Sequence, residues 1–127
     1  MVNTFDIDGV IYLGEYDGVY PGKEDIIITG RSVDEVEETQ SMLMSKGIFN
    51  RVIFNPLPFD KKSRVSSGQH KGNMIKRLIK MGIEHGVHFE DDEIQIEEIR
   101  KIVPEVRIVH VVSNLVEKEN VRRPHKA

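Results

Sequence analysis

The chain has 127 residues, 39% of them hydrophobic and 31% charged, the balance of one ordinary globular domain long enough to bury a core. With no cysteine, neither a disulfide framework nor a thiolate zinc site is available. A formal net charge of −3 argues against broad non-specific nucleic-acid binding, which depends on many Lys and Arg contacts to phosphates. No apolar run approaches the ~18 residues that span a membrane, and Met1 opens no signal-like segment, so the expected setting is cytoplasmic.

A first strand is expected from about Val2 to Ile7, leading into Asp6-Ile7-Asp8-Gly9-Val10. Period two would project Asp6 and Asp8 to one face and Phe5 and Ile7 to the other. At the carboxyl edge of an open α/β sheet, such a pair sits where ligands bind. Two carboxylates that close repel unless a cation lies between them or one keeps a proton. The plainer alternative is a turn whose acids face water. A calcium loop is disfavoured, because Ile11 stands where that loop wants glycine.

Tyr12 to Tyr20 read as a small hairpin, with Asp17-Gly18 as its turn signal and Pro21-Gly22 closing it. The β-branched run Asp25-Ile26-Ile27-Ile28-Thr29 predicts a strand buried on both faces, followed by a turn through Gly30 and Arg31. Ser32 and Glu35 form a capping box for a helix with Val36, Leu43 and Met44 on its apolar stripe, stopped at Gly47. Arg51 to Phe54 is a third strand, ended by the prolines at 56 and 58. Ser66 and Gln69 offer a second capping box before a helix carrying His70, Lys71, Met74, Ile75, Leu78 and Ile79. Gly86 to Phe89 is a fourth strand running into Glu90-Asp91-Asp92. A helix with Ile96, Ile99 and Val103 inward then stops at Pro104, and a fifth strand spans Val106 to Val112. Strands alternating with helices predict a Rossmann-like, doubly wound and mostly parallel five-stranded sheet with helices on both faces. One domain is expected over residues 1–119, with a polar tail over 120–127.

Asp6 and Asp8, Thr29, Lys71 and Glu90-Asp91-Asp92 thus fall at strand ends or helix starts on one side of the sheet. That set, in that order, resembles the haloacid dehalogenase superfamily of phosphotransferases. The resemblance covers Phe5 to about Val112, with Asp6-Ile7-Asp8-Gly9-Val10, Ile28-Thr29-Gly30-Arg31, Lys71 and Phe89-Glu90-Asp91-Asp92 as its four motifs. It implies a Mg²⁺-dependent phosphatase on a sheet ordered 5-4-1-2-3, with Asp6 as the nucleophile that becomes an aspartyl-phosphate. Asp8 would protonate the leaving oxygen and later deprotonate the attacking water, and its backbone carbonyl would bind the metal. Thr29 would hydrogen-bond the phosphoryl group, with Gly30 and Arg31 beside it as substrate contacts. Lys71 would neutralise Asp6 and the phosphate. Asp91 would complete the Mg²⁺ site, supported by Asp92 or Glu90.

Taken singly, each signal has a plainer reading. Thr29 serves as a β-branched strand end, Lys71 as a solvated lysine beside Lys76, Arg77 and Lys80, and the acids at 90–92 as complements to a helix dipole. Lys61, Lys62 and Lys76 compete with Lys71 for the motif. His85 and His88, three residues apart, invite a metal reading but have no third ligand nearby, so they are taken as surface or strand residues. Between Asp8 and Thr29 there is room only for the hairpin, and between Thr29 and Lys71 only for a helix, a strand and a loop. The resemblance is therefore to a cap-less member. Such forms act on large substrates or borrow a second copy of the chain to cover an open site. A fainter similarity is to the phosphatase domain of polynucleotide kinase-phosphatases, which implies a nucleotide or a phosphorylated nucleic-acid end as substrate. A small phosphorylated metabolite and a non-catalytic binding module of the same fold are the alternatives.

Overall fold

The structure is a computed structural model that describes residues 1–112. Five parallel strands form the sheet: β1 (Val2–Phe5), β4 (Ile26–Ser32), β5 (Val52–Asn55), β6 (His85–Glu90) and β7 (Ile108–His110). Their order is β5-β4-β1-β6-β7, which is the expected order read from the other edge. Two short antiparallel strands, β2 (Tyr12–Leu13) and β3 (Tyr16–Asp17), make the separate hairpin.

Alternation along β4 builds two cores. Ile27 joins Phe5, Ile7, Leu43 and Ile48 on the face covered by α1 (Val36–Ser45). Ile26 and Ile28 join Ile75, Leu78, Ile99 and Val103 on the face covered by α2 (Arg64–Lys80) and α3 (Glu93–Ile102). Burying each of these branched side chains contributes about 1.5–3 kcal/mol, and together they fix which helix lies on which face. On the second face α2 and α3 lie close because two glycines, one helical turn apart, leave room. A Cβ on Gly68 would stand 2.9 Å from the Gln95 Cα, and one on Gly72 would stand 3.0 Å from the Ile102 Cδ1.

The elements differ in detail from their sequence expectations. The Ser32–Glu35 capping box is present, but it caps a 3₁₀ turn at Val33–Glu35 that leads into α1. Along α1, Thr39 and Leu43 are buried, whereas Met44 is exposed, three-residue spacing from Val36 having won over the neighbouring position. Helix α2 starts earlier than expected: Ser63 is its N-cap and Ser66 its N3 partner, so Lys71 lies well inside the helix rather than at its start. In α3 the inward positions are Gln95, Glu98, Ile99 and then Val103, with Ile96 half-buried. The hairpin turns at Gly14-Glu15 instead of Asp17-Gly18. Gly14 takes φ +71°, and Gly18 donates to the Ile11 carbonyl while Val19 donates to Val10, so the Asp-Gly pair continues a pairing. The last strand is confined to Ile108–His110. The expected polar tail lies outside the described residues.

Candidate functional site

Strand β1 stops at Phe5, so Asp6 and Asp8 stand in the loop beyond it rather than on one strand face. Asp6 still donates its N–H to the Phe89 carbonyl at 3.1 Å, which ties it to β6. The chain then folds tightly, the Ile7 carbonyl accepting from the N–H groups of Val10, Ile11 and Tyr12. Ile7, Val10 and Ile11 are fully buried and anchor this turn in the core. The turn sends the two acids apart.

Asp6 faces α2 and the end of β6. Lys71, with no exposed surface, sets its Nζ 2.9 Å from the Asp6 Oδ1 and 2.9 Å from the Glu90 Oε1. Gly9 closes the other side. Its φ is +90°, and a Cβ there would overlap the Asp91 carboxylate, so glycine is required by conformation and by space alike. Asp6, Glu90 and Asp91 each offer a carboxylate oxygen within 4.8 Å of the others, with Asp6 and Glu90 buried and Asp91 half-buried.

Asp8 faces β4. Arg31 grips it with two parallel hydrogen bonds, Nε to Oδ2 at 2.9 Å and Nη2 to Oδ1 at 2.8 Å. The same guanidinium donates to Thr39 Oγ1 at 3.1 Å and lies over the Tyr12 ring, 5.9 Å from its centre. Burial works against the Arg31 charge, but Asp8, with Glu35 and Asp6 farther out, holds it protonated. The side chain of Asp8 therefore belongs to this pair and not to the acidic cluster.

Thr29 is fully buried in β4, and its Oγ1 accepts from the Arg31 N–H at 2.9 Å. The expected turn here is a bulge within the strand: four steps from Ile28 to Ser32 face two steps from Ile53 to Asn55 on β5. Gly30 presents its carbonyl to Lys62, whose Nζ also pairs with Glu35 at 2.8 Å. The lysine against the acidic cluster is thus Lys71, and Lys62 serves the loop above α1.

The acids at 90–92 divide. Glu90 and Asp91 join Asp6, whereas Asp92 is the N-cap of α3, accepting from the Ile94 N–H. Arg64 bonds both Asp92 oxygens, at 2.6 and 2.9 Å, and Gln95 donates to it at 3.0 Å. Burial opposes ionisation of Asp92, but the Arg64 and Gln95 hydrogen bonds outweigh it and bring the carboxyl below its usual range.

Sequence reasoning gave Glu90 only a supporting part and assigned no role to Arg64 or to His88. The signal for His88 and Glu90 was their two-residue spacing, which puts both on one face of β6.

Three carboxylates against one Lys71 ammonium leave a formal excess of two negative charges in a buried site. Hard, all-oxygen donors with that charge suit a divalent cation such as Mg²⁺. No protein-family model and no curated protein matches the chain.

Proposed function

We propose that the chain is a Mg²⁺-dependent phosphomonoesterase of the haloacid dehalogenase type, acting through an aspartyl-phosphate on Asp6. The observation that carries this reading is Lys71, buried and shared between Asp6 and Glu90 beside Asp91, at the carboxyl edge of a parallel sheet. A carboxylate cannot approach a phosphate dianion unaided, and an ammonium at 2.9 Å offsets that repulsion on the nucleophile's side. Asp6, Glu90 and Asp91 would hold the metal, together with the backbone carbonyl of Asp8. When bound, the metal supplies charge neutralisation at the transferring phosphoryl group.

In the first half-reaction the Asp6 carboxylate attacks phosphorus. The new O–P bond forms as the ester O–P bond breaks, and the leaving oxygen takes a proton from Asp8. In the second, water attacks the phosphoryl group as Asp8 accepts its proton, releasing phosphate and restoring Asp6. Asp8 must leave its pair with Arg31 and take up a proton from solvent before the first half-reaction, and the proton it accepts from water in the second serves the next turnover. A substrate phosphate oxygen is the natural acceptor for the two freed guanidinium donors. Thr29 and Gly30 lie in the same bulge of β4 and would complete the phosphate contacts.

The substrate class follows from the small amount of chain beside the site. Among the described residues, the segment between Asp8 and Thr29 carries only the hairpin and the first part of β4. Tyr16 is 56% exposed on that hairpin and offers a stacking face. A nucleotide or a phosphorylated nucleic-acid end fits better than a compact metabolite. A second copy of the chain covering the site is the other way to exclude water. The test is phosphate release from an aryl phosphate, nucleotides, sugar phosphates and 3′- or 5′-phosphorylated oligonucleotides, with Mg²⁺ and with chelator. Release that needs Mg²⁺, fails in Ca²⁺ and is greatest on base-containing substrates is expected. Full activity in chelator would remove the metal from the reading.

A further inference from the structure

Behind the acidic cluster, a line of hydrogen bonds runs through the second core. His85 Nε2 lies 2.9 Å from Thr4 Oγ1, and Thr4 Oγ1 lies 2.8 Å from His88 Nδ1. His88 Nε2 lies 3.1 Å from Glu90 Oε1, the oxygen that also takes Lys71. Thr4, His88 and Glu90 have no exposed surface. Two histidines three residues apart on a strand would normally point to opposite faces. Here β6 bulges: Val2 pairs with His85 and Thr4 with His88, so three steps on β6 face two on β1, and both rings reach one hydroxyl.

A carboxylate oxygen accepts, so the His88 Nε2–H faces Glu90 and the other ring nitrogen is left to the Thr4 hydroxyl. Burial beside His88 and Arg107 holds His85 neutral, with its pKa pushed down to about 4. The His88 ring is held at both nitrogens, by Thr4 on one side and by Glu90 on the other.

We infer that His88, itself fixed by Thr4, is a positioning residue that holds Glu90 for the metal and for Lys71. This rests on the reading of Asp6, Glu90 and Asp91 as a metal centre. It does not require that the centre hydrolyse phosphate. Outer partners of ligating carboxylates typically matter by 10–100-fold in metal affinity.

Two near-isosteric variants separate the two ring contacts. His88→Gln keeps an N–H near the Nε2 position, facing Glu90, whereas His88→Asn keeps only the Nδ1-side contact with Thr4. Mn²⁺ titrated into the unliganded protein and followed by electron paramagnetic resonance reads affinity without catalysis, and urea unfolding reads stability. The expected result is Mn²⁺ affinity within about threefold of wild type for His88→Gln and about 10–100-fold weaker for His88→Asn, at comparable unfolding midpoints. Equal Mn²⁺ affinities in the two variants would overturn the inference. Wild-type protein that binds Mn²⁺ but releases no phosphate would overturn the phosphatase reading alone.

Discussion

Asp6 and Asp8 are two residues apart in sequence and have different partners, an ammonium for one and a guanidinium for the other. That division predicts different outcomes for their amides. On the proposed function, Asp6→Asn removes the nucleophile and should abolish turnover on every substrate. It also relieves repulsion with Glu90 and Asp91, so thermal unfolding without metal should occur at the same or a higher temperature. Asp8→Asn should lower kcat by about 10²–10⁴-fold, most on poor leaving groups, which need the proton. Steady-state rates over a series of aryl phosphates of graded leaving-group acidity check this. Equal losses across the series would mean that Asp8 is not the acid.

His70 gives a second prediction at this scale. Burial, and then the Lys71 charge, push it down to about 4, although it is hydrogen-bonded to the Ile53 backbone. Between that value and the ordinary 6.5, the unfolded chain binds the proton that the folded chain refuses. Stability must therefore fall as pH falls through this window. His85, pushed down to about 4 by burial, acts in the same direction. Urea midpoints measured between pH 7 and 5 should decline with acid, and His70→Gln should flatten the decline. A profile unchanged by His70→Gln would contradict the burial of this ring.

At the scale of elements, the approach of α2 to α3 rests on Gly68 and Gly72, and the closure of the site rests on Gly9. Gly68→Ala drives a methyl against the Gln95 backbone and should cost about 1–3 kcal/mol, read as a lower urea midpoint. Gly9→Ala combines an unfavourable φ with displacement of Asp91, so it should weaken Mn²⁺ binding as well as stability. Unaltered Mn²⁺ affinity in Gly9→Ala would show that Asp91 does not ligate from this position. The alternating β and α segments and the Ser32–Glu35 box were legible in the sequence because each depends on local pattern, whereas the order of the sheet is not local and came with the resemblance. What escaped was set by tertiary contact. Ser63 rather than Ser66 caps α2, the hairpin turns at Gly14, and Asp92 caps a helix while Glu90 turns inward. A spacing rule cannot separate three adjacent acids when packing against Arg64, Lys71 and His88 decides their directions.

At the scale of the whole molecule, among the described residues no helix is long and apolar enough to cross a membrane. On the proposed function, the hairpin would touch the substrate beyond its phosphate. Tyr12 is held under Arg31 and Lys46 and packs, while Tyr16 stands out. Tyr16→Ala should therefore reduce kcat/KM for a nucleotide or oligonucleotide end by about 5–100-fold, equivalent to 1–3 kcal/mol of stacking, and leave a small aryl phosphate unaffected. A compact sugar phosphate as best substrate of a monomeric protein would instead contradict the open-site argument.

The proposed function has Asp6, braced by Lys71 and a divalent cation, take up a phosphoryl group. Its most direct measurement is the intact mass of protein quenched in acid during turnover of a phosphomonoester with Mg²⁺, followed by fragmentation to locate any added phosphate. A phosphoryl adduct on Asp6, absent in chelator and absent in Asp6→Asn, is the expected result. Turnover of the same substrate with no adduct, and with Asp6→Asn still active, would contradict it.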